Sequence, residues 1–349
     1  MKSKRGVWAA ASLTVLLGVL GSFLLVATSA SAKPQRTTAT YRIGEVFYQT
    51  DPFQVALQKW AKRWAKAKDI ELIACDQKAQ AQLGINCVND WIAQKLDGII
   101  YAPADPAAAV KPVQDSQAAG IPIISIVIKP NPPAKAPHLT AAERQQTHAA
   151  GQNAARAAKR FFPGQRLSVL ALDLLNLPIC KQSRMGGFIA GVKSIDPTAR
   201  IYDVGAKGDR LDATNRVTDF LQSGRQVNII TACTGEMIQG ALAALKSAGR
   251  GKAVNKRPQT EYVFAIDGDK QQLRQLLDKT SPVMQAMGLA PREQSLKQIN
   301  LLLEVIQKKI PMTSQKVVGS PGRLIASTCK SVNTYLTTEY LEKPLPCRR

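Results

Sequence analysis

The chain is poor in the residues that enzymes and metal centres use. Its two histidines, His138 and His148, form no metal constellation, and no C-x-x-C occurs among its six cysteines, so the clustered ligands of a zinc site are missing. G-x-S-x-G, H-E-x-x-H and Walker-type loops are absent too, and with them the nucleophile–base pairs and metal sets of most hydrolases. No catalytic residue, metal or cofactor is expected. Basic residues never run five or more in a row, which argues against a nucleic-acid-binding arm. There is no low-complexity tract. Beyond Ala32 no segment is long and apolar enough to span a bilayer.

Acidic residues are also scarce, and the sequence carries 47 Lys and Arg against 25 Asp and Glu, a formal charge of +22. The cations are spread along the chain, many at helix-surface positions such as Lys59, Lys62, Arg63, Lys66 and Lys68. This reads as a solvated basic surface, with an anion or membrane-surface role as the alternative. The N-terminus follows the plan of a secretory signal: a basic start at Lys2, Lys4 and Arg5, an uncharged apolar stretch from Trp8 to Ala27, and the small-residue site Ala30-Ser31-Ala32. Residues 1–32 are expected to be removed, with Lys33 the first mature residue and the periplasm the destination. An uncleaved membrane anchor is the alternative. No cysteine stands at the junction, so a lipoprotein anchor is not expected. About 317 residues would remain, a length that suggests two domains, and an apolar content of 45% suffices for large cores.

The most informative stretch runs from Trp91 to Ile128. Gly98–Tyr101 and Ile121–Ile128 are short apolar runs of buried-strand type, and the segment between them (about 105–119) has helix length and stops at Gly120. Strand, helix and strand of this kind form a right-handed βαβ unit of a parallel sheet. Ligands bind at the carboxyl ends of such strands, which here carry Ala102–Asp105 and Val127–Lys129. The same alternation precedes this unit: strands at 41–48 and 70–74, a helix opened by Asp51-Pro52, and another near 87–95. It restarts beyond a proline-rich break at 129–137, read as a linker or lobe boundary. A helix is expected over 141–161. Strands follow at 167–172, 201–204, 227–232, 262–266 and 282–287, and helices at 181–193, 211–223, 236–248, 270–277 and 292–308. Residues 313–349 read as strands and turns. Glu45, inside an apolar strand, has no evident partner; contact with the cleft or with a Lys or Arg is expected.

These elements carry seven short motifs in one order: Arg42–Gly44, Asp51–Phe53, Leu96–Ile100, Gly120–Ile124, Arg184–Phe188, Gly235–Leu242 and Ile266–Gly268. Over about 41–330 the chain resembles the sugar-binding type I group of periplasmic substrate-binding proteins, the ribose- and galactose-binding proteins of ABC importers. The resemblance implies two Rossmann-like α/β lobes joined by a three-segment hinge, with the ligand in the cleft between them. The expected division is 41–143 plus 290–317 for the N-terminal lobe and 144–289 plus 318–349 for the C-terminal lobe, with the long helix near 292–308 packed on the first. The implied partners are a small-molecule ligand and ABC permease subunits, or alternatively a membrane sensor; no nucleic acid is implied, and a monomer is expected. A repressor of the related family would need an N-terminal helix-turn-helix, where this chain has its signal-like segment.

The family's pocket positions carry over to Asp51 and Phe53 in the turn before the first helix, with Gln54 where a second aromatic is common. They also carry over to Arg184, which in the family reaches ligand oxygens, to Asp267 as an acceptor, and to Thr234 in place of an Asn. Val127 and Ile128 stand where an Asp–Arg pair usually grips sugar hydroxyls, and Leu289 where a polar residue is usual. Loss of that pair removes planar donor–acceptor forks, so a plain hexose or pentose is a poorer expectation than a polyol or modified sugar, and an anion stays open. Each residue also has a plain structural role available: Asp51 as a helix cap, Arg184 and Asp267 as a mutual pair, Phe53 as core. The bridge Cys75–Cys87 is expected because Cys75 ends a strand and Cys87 begins the next helix, and the family's strand order suggests Cys180–Cys233. Cys329–Cys347 is expected across a terminal hairpin.

Overall fold

The computed structural model describes residues 40–347 except 175, 176, 178 and 321. The expected signal segment lies outside the described residues. Among these, no helix is long and apolar enough to cross a membrane.

The first half follows the alternation read from the sequence. It comprises β1 (Tyr41–Phe47), α1 (Pro52–Ala67), β2 (Ile70–Asp76), α2 (Ala81–Ala93), β3 (Gly98–Tyr101), α3 (Val110–Ala118), β4 (Ile123–Ile126) and β5 (His138–Ala141). After α4 (Arg144–Phe161) come β6 (Ser168–Leu174), a π-helical segment (Cys180–Met185) leading into α5 (Gly186–Ile195), β7 (Arg200–Ala206), α6 (Arg210–Gln222), β8 (Ile229–Ala232) and α7 (Gly235–Ser247). A two-stranded ribbon, β9 (Ala253–Val254) and β10 (Arg257–Pro258), precedes β11 (Tyr262–Asp267), α8 (Lys270–Leu277), β12 (Val283–Gly288) and α9 (Pro291–Ile306). The chain ends with β13 (Val317–Ser320), β14 (Arg323–Ile325), α10 (Cys329–Tyr335) and a π-helical turn (Leu336–Tyr340).

Two six-stranded sheets result, β13-β5-β4-β3-β1-β2 and β14-β12-β11-β8-β6-β7. All pairs are parallel except β12–β14. The backbone passes between sheets three times: after β5, between β12 and α9, and between β13 and β14. Helix α9 returns to the first sheet and lies along α1. Its Ile299, Leu302 and Val305 are buried with Ile43, Ala61 and Ile100. Close helix approach explains two glycines of the second lobe. A Cβ at Gly151 of α4 would collide with the Phe188 carbonyl of α5, and one at Gly191 of α5 with the His148 carbonyl of α4.

Several expectations are corrected. The proline-rich stretch 129–137 is no lobe boundary. It loops from β4 to β5 within the first sheet, where Ser125 N bonds the Pro137 carbonyl at 2.9 Å. The crossing follows β5, a strand too short and too close to proline to be read from pattern. Helix α2 begins at Ala81 rather than near Cys87, because the polar run before Cys87 hides its start. Helix α3 starts late, at Val110; Asp105 first closes a turn, its Oδ1 accepting from Ala108 N at 2.7 Å. The segment after β14 is helical, not a hairpin. Thr328 caps α10 by accepting from Ser331 N at 3.2 Å, and the Thr-rich sequence masked its periodicity. Cys329 and Cys347 therefore bracket a helical segment. All three expected disulfides are present, with Cα separations of 6.6, 5.4 and 5.9 Å, inside the usual span of roughly 4.4–6.8 Å.

Glu45 contacts neither the cleft nor a Lys or Arg at bonding distance. It is fully buried and accepts from Gln298 Nε2 of α9 at 2.5 Å. Burial pushes its carboxyl up to about 7, against the opposing effects of Gln58, Gln298 and Lys62. It ties β1 to α9. His138 is likewise structural: its Nδ1 lies 2.9 Å from Ser125 Oγ, and burial lowers its pKa to about 4.

Candidate functional site: the interlobe cleft

The carboxyl ends of both sheets face one cleft. Its cavity volume is about 90 Å³, room for on the order of six to nine waters, given that one water needs roughly 10–15 Å³ of such space. All eight residues singled out from the sequence line it: Asp51, Phe53, Gln54, Val127, Ile128, Arg184, Thr234 and Asp267. Leu289 lines it too.

Helix N-termini position most of the polar groups. Asp51 caps α1 by accepting from Gln54 N at 2.8 Å. Thr234 caps α7, and Asp269 caps α8 by accepting from Gln272 N at 2.9 Å. Capping and lining the cleft are thus compatible, since a carboxylate has several acceptor sites and a cap uses few of them. Pro52 at the first position of α1 fixes the entry angle. Phe53, one residue on, is 7% exposed and packs in a core shared with Met185 and Leu289, so it is core and cleft wall together.

Arg184 does not have Asp267 as its chief partner. Its Nε lies 2.5 Å from Glu143 Oε2 and its Nη2 3.2 Å from Oε1, a bidentate pair. Its Nη1 donates to the Cys233 carbonyl at 2.8 Å, whereas Asp267 Oδ1 is 4.0 Å away. Burial acts to lower the Arg184 pKa, but Glu143, Asp267 and Asp51 outweigh it and the net shift is upward. Glu143 stands just after β5, at the first crossing, so the pair ties the hinge to the second lobe. The π-helical winding around Arg184 is supported from outside. Thr147 Oγ1 donates to the Ser183 carbonyl at 2.9 Å, and Arg144 donates to that of Gln182.

Three aspartates facing the cleft hold their protons more tightly than usual. Burial pushes Asp267 up to about 7, with Arg184 opposing and Asp51 and Asp269 adding. Asp51 is raised to about 6, again by burial first, and Asp269 is raised for the same reason. The backbone is strained here as well. Val127 has φ 63°, Asp267 φ 93° and Ala290, at the second crossing, φ 50°. Positive φ is costly for these residues, most of all for β-branched Val127, and such strain collects at functional positions.

A family model described as a periplasmic binding protein domain matches residues 46–310. The chain belongs to this family. Among curated relatives, the ribose import binding protein of Bacillus subtilis is 26% identical over 269 residues, covering 74% of this chain and 82% of that protein. The xylitol-binding protein of Mycolicibacterium smegmatis is 28% identical, covering 60% of this chain and 59% of that protein. Among solved structures, a periplasmic solute-binding protein of an ABC transporter from Actinobacillus succinogenes, with bound D-allose, superposes with TM-score 0.72. Its identity is 21%, over 84% of this chain and all of that one. A Caulobacter myo-inositol-binding protein gives TM-score 0.70 at 19% identity, over 82% of this chain and 93% of that one. These structural likenesses establish the fold.

Within this binding-protein fold the sequence reading missed Glu143, Glu236, Asp269, Lys207 and Gln294 as cleft residues. Asp269 was readable, two residues past Asp267 at the end of a strand. Glu143 was not, because the short strand before it was not recognised.

Proposed function

We propose that the chain is an exported solute-binding protein that takes a small sugar or polyol into the cleft and presents it to an ABC importer. The observation that carries this reading is the cleft itself: Phe53 offers an apolar face and Asp51, Asp267 and Asp269 offer acceptors around one enclosed space. The named ligands of the relatives, ribose and xylitol, and of the superposed structures, allose and myo-inositol, belong to the same class. The family is one of solute-binding proteins, and nothing in the cleft suggests turnover. A free anion fits poorly, because five carboxylates and two cationic side chains line the space.

Residues 41–143 with 290–317 act as one gripping lobe, and 144–289 with 318–349 as the other. Closure about the three crossings holds the ligand. The test is a thermal-shift screen of pentoses, hexoses, polyols and cyclitols on the mature protein, followed by titration calorimetry of any hit. A neutral sugar or polyol that raises Tm and binds one-to-one supports the reading. A radius of gyration unchanged at saturation would remove the closure step, and a panel without binding would remove the reading.

A further inference from the structure

The strained backbone of the second lobe is held from behind by the end of the chain. Asp267 and Ala290 have φ of 93° and 50°, and each meets a tyrosine hydroxyl from the segment 329–340. Tyr340 Oη donates to the Asp267 carbonyl at 2.8 Å, and Ala290 N donates to Tyr335 Oη at 3.1 Å. Both tyrosines are buried in the second-lobe core. Tyr335 sits tightly on the ends of β11 and β12: a Cβ on Gly288 would stand 2.1 Å from its ring. Left-handed backbone at residues other than glycine persists only where its surroundings over-determine it, and one element supplies a bond at both points. The Asp267 side chain is pinned as well, its Oδ2 accepting from Gly235 N at 2.7 Å.

The same segment reaches the first lobe. The Glu339 carbonyl accepts from Trp60 Nε1 of α1 at 2.8 Å, and the Glu339 carboxylate accepts from Arg292 N at the start of α9 at 3.0 Å. That carboxylate also lies 3.8 Å from Arg323, just past the third crossing, and Arg323 holds Glu293 of α9 at 2.5 Å. The segment is closed on itself. Cys329 is bonded to Cys347, and Asn333 exchanges two hydrogen bonds with Leu345, at 3.0 and 2.7 Å. It lies beyond the stretch that the family model matches.

We propose that Tyr340 and Tyr335 are positioning residues for the cleft. Tyr340 fixes Asp267 as an acceptor for ligand, Tyr335 fixes the second crossing, and Glu339 ties both to α1 and α9. The lobe angle and the place of Asp267 are thereby set by one element. The part played through Asp267 rests on the sugar-or-polyol reading above, whereas the tie between the lobes does not.

Three small replacements test it on the full mature protein. Tyr335→Phe, Tyr340→Phe and Trp60→Phe keep a ring and remove one hydroxyl or one N–H. Val192→Ala, fully buried in α5 and with no part in these bonds, controls for plain destabilisation. Lobe spacing is read without ligand, by spin-label distances between Gln114→Cys of α3 and Gln222→Cys of α6, both exposed. Tyr335→Phe and Trp60→Phe should each shift or broaden the distance distribution, and Val192→Ala should leave it as in the parent. Binding is read by calorimetry with the pentoses, hexoses, polyols and cyclitols of the thermal-shift screen, among them D-ribose, D-allose, xylitol and myo-inositol. For any compound that the parent binds, Tyr340→Phe should weaken binding about threefold to tenfold, the usual worth of one hydrogen bond. It should add nothing to Asp267→Asn in the double variant, because it acts through that residue. Distances unchanged in either Tyr335→Phe or Trp60→Phe, or moved equally by Val192→Ala, would overturn the tie between the lobes. Parent-like binding by Tyr340→Phe, or a loss that adds in full to that of Asp267→Asn, would overturn the positioning of Asp267. If nothing in the panel binds the parent, the sugar-or-polyol reading falls and the role through Asp267 falls with it, while the distances still decide the tie.

Discussion

On the first-lobe side of the cleft, Phe53, Ala102, Pro103, Val127 and Ile128 present carbon beside the amides of Gln49, Gln54 and Gln294, and the charged groups are Asp51 and, at the crossing, Glu143, which is taken up by Arg184. On the second-lobe side stand Arg184, Lys207, Thr234, Glu236, Asp267 and Asp269. The two walls are supported differently. The carbon wall comes from strand ends and the start of α1, and its conspicuous cost is the left-handed backbone at Val127. The charged wall rests on helix N-termini and on one buried ion pair, Arg184–Glu143, that reaches back to the hinge. On the proposed reading, stacking and polar recognition would be divided between the lobes, and a ligand that needs both would be held only when the lobes are together.

The largest effect should come from breaking the support of the charged wall. Arg184→Ala leaves Glu143, 2% exposed, without its partner, and should lower stability by about 3–5 kcal/mol, read by urea denaturation. Loss of ligand affinity would follow from a displaced hinge as much as from a lost contact. The paired replacement Arg184→Met with Glu143→Leu separates the two, because it removes charge and partner together. It should recover most of the stability and none of the binding. If Arg184→Ala is nearly as stable as the parent, the pair does not support this wall.

On the carbon wall, Phe53→Ala should cost about 3 kcal/mol, since a large buried side chain leaves a cavity. Phe53→Leu should cost less than about 1.5 kcal/mol yet still weaken ligand binding, as an aliphatic side chain covers a sugar face less well than a ring. Equal binding by the Leu variant in calorimetry would show that Phe53 serves the core alone.

The sequence displayed the two walls unequally. Val127 and Ile128 were legible as the end of an apolar strand run, and Pro52 with a capping Asp marked a helix start. Phe53, Arg184, Thr234 and Asp267 were placed at the site by the family resemblance, not by local pattern. What could not be read was pairing. Arg184 meets Glu143 across 41 residues, and Glu45 meets Gln298 across 253. No local pattern encodes contacts of that range. The prolines at 129–137 were read as a linker or lobe boundary because proline marks the end of regular structure without saying which sheet the next strand joins.

A pH titration sharpens the comparison, because the most perturbed cleft acid is on the charged wall. Asp267 is raised from 3.8 to about 7 in the folded state. Between those values the native protein holds a proton that the unfolded chain has released, so its contribution to stability is greatest below about pH 4 and falls as pH rises toward 7. The unliganded protein should lose stability over that interval. Asp267→Asn should flatten the profile, with a difference of up to about 4 kcal/mol between the ends, followed by thermal unfolding in a series of buffers. Parallel profiles for parent and variant would mean that Asp267 is ionised at no cost.

The smallest effect, and the one that isolates charge from capping, is Asp51→Asn. Asn caps a helix about as well as Asp, so the bond to Gln54 N should persist and α1 should start where it does now. The carboxyl of Asp51 is raised from 3.8 to about 6, mainly by burial. Its ionisation therefore weighs against the folded state near neutral pH and not below about pH 4, where both states are protonated. The Asn variant should match the parent at pH 4 and be more stable at pH 7. Ligand affinity should move the other way, falling at pH 7 because an acceptor and a charge have been removed. A variant destabilised equally at both pH values would show that the cap had been lost. One unchanged in stability and in binding would show that the carbon wall needs no charge at all, leaving recognition to the second lobe.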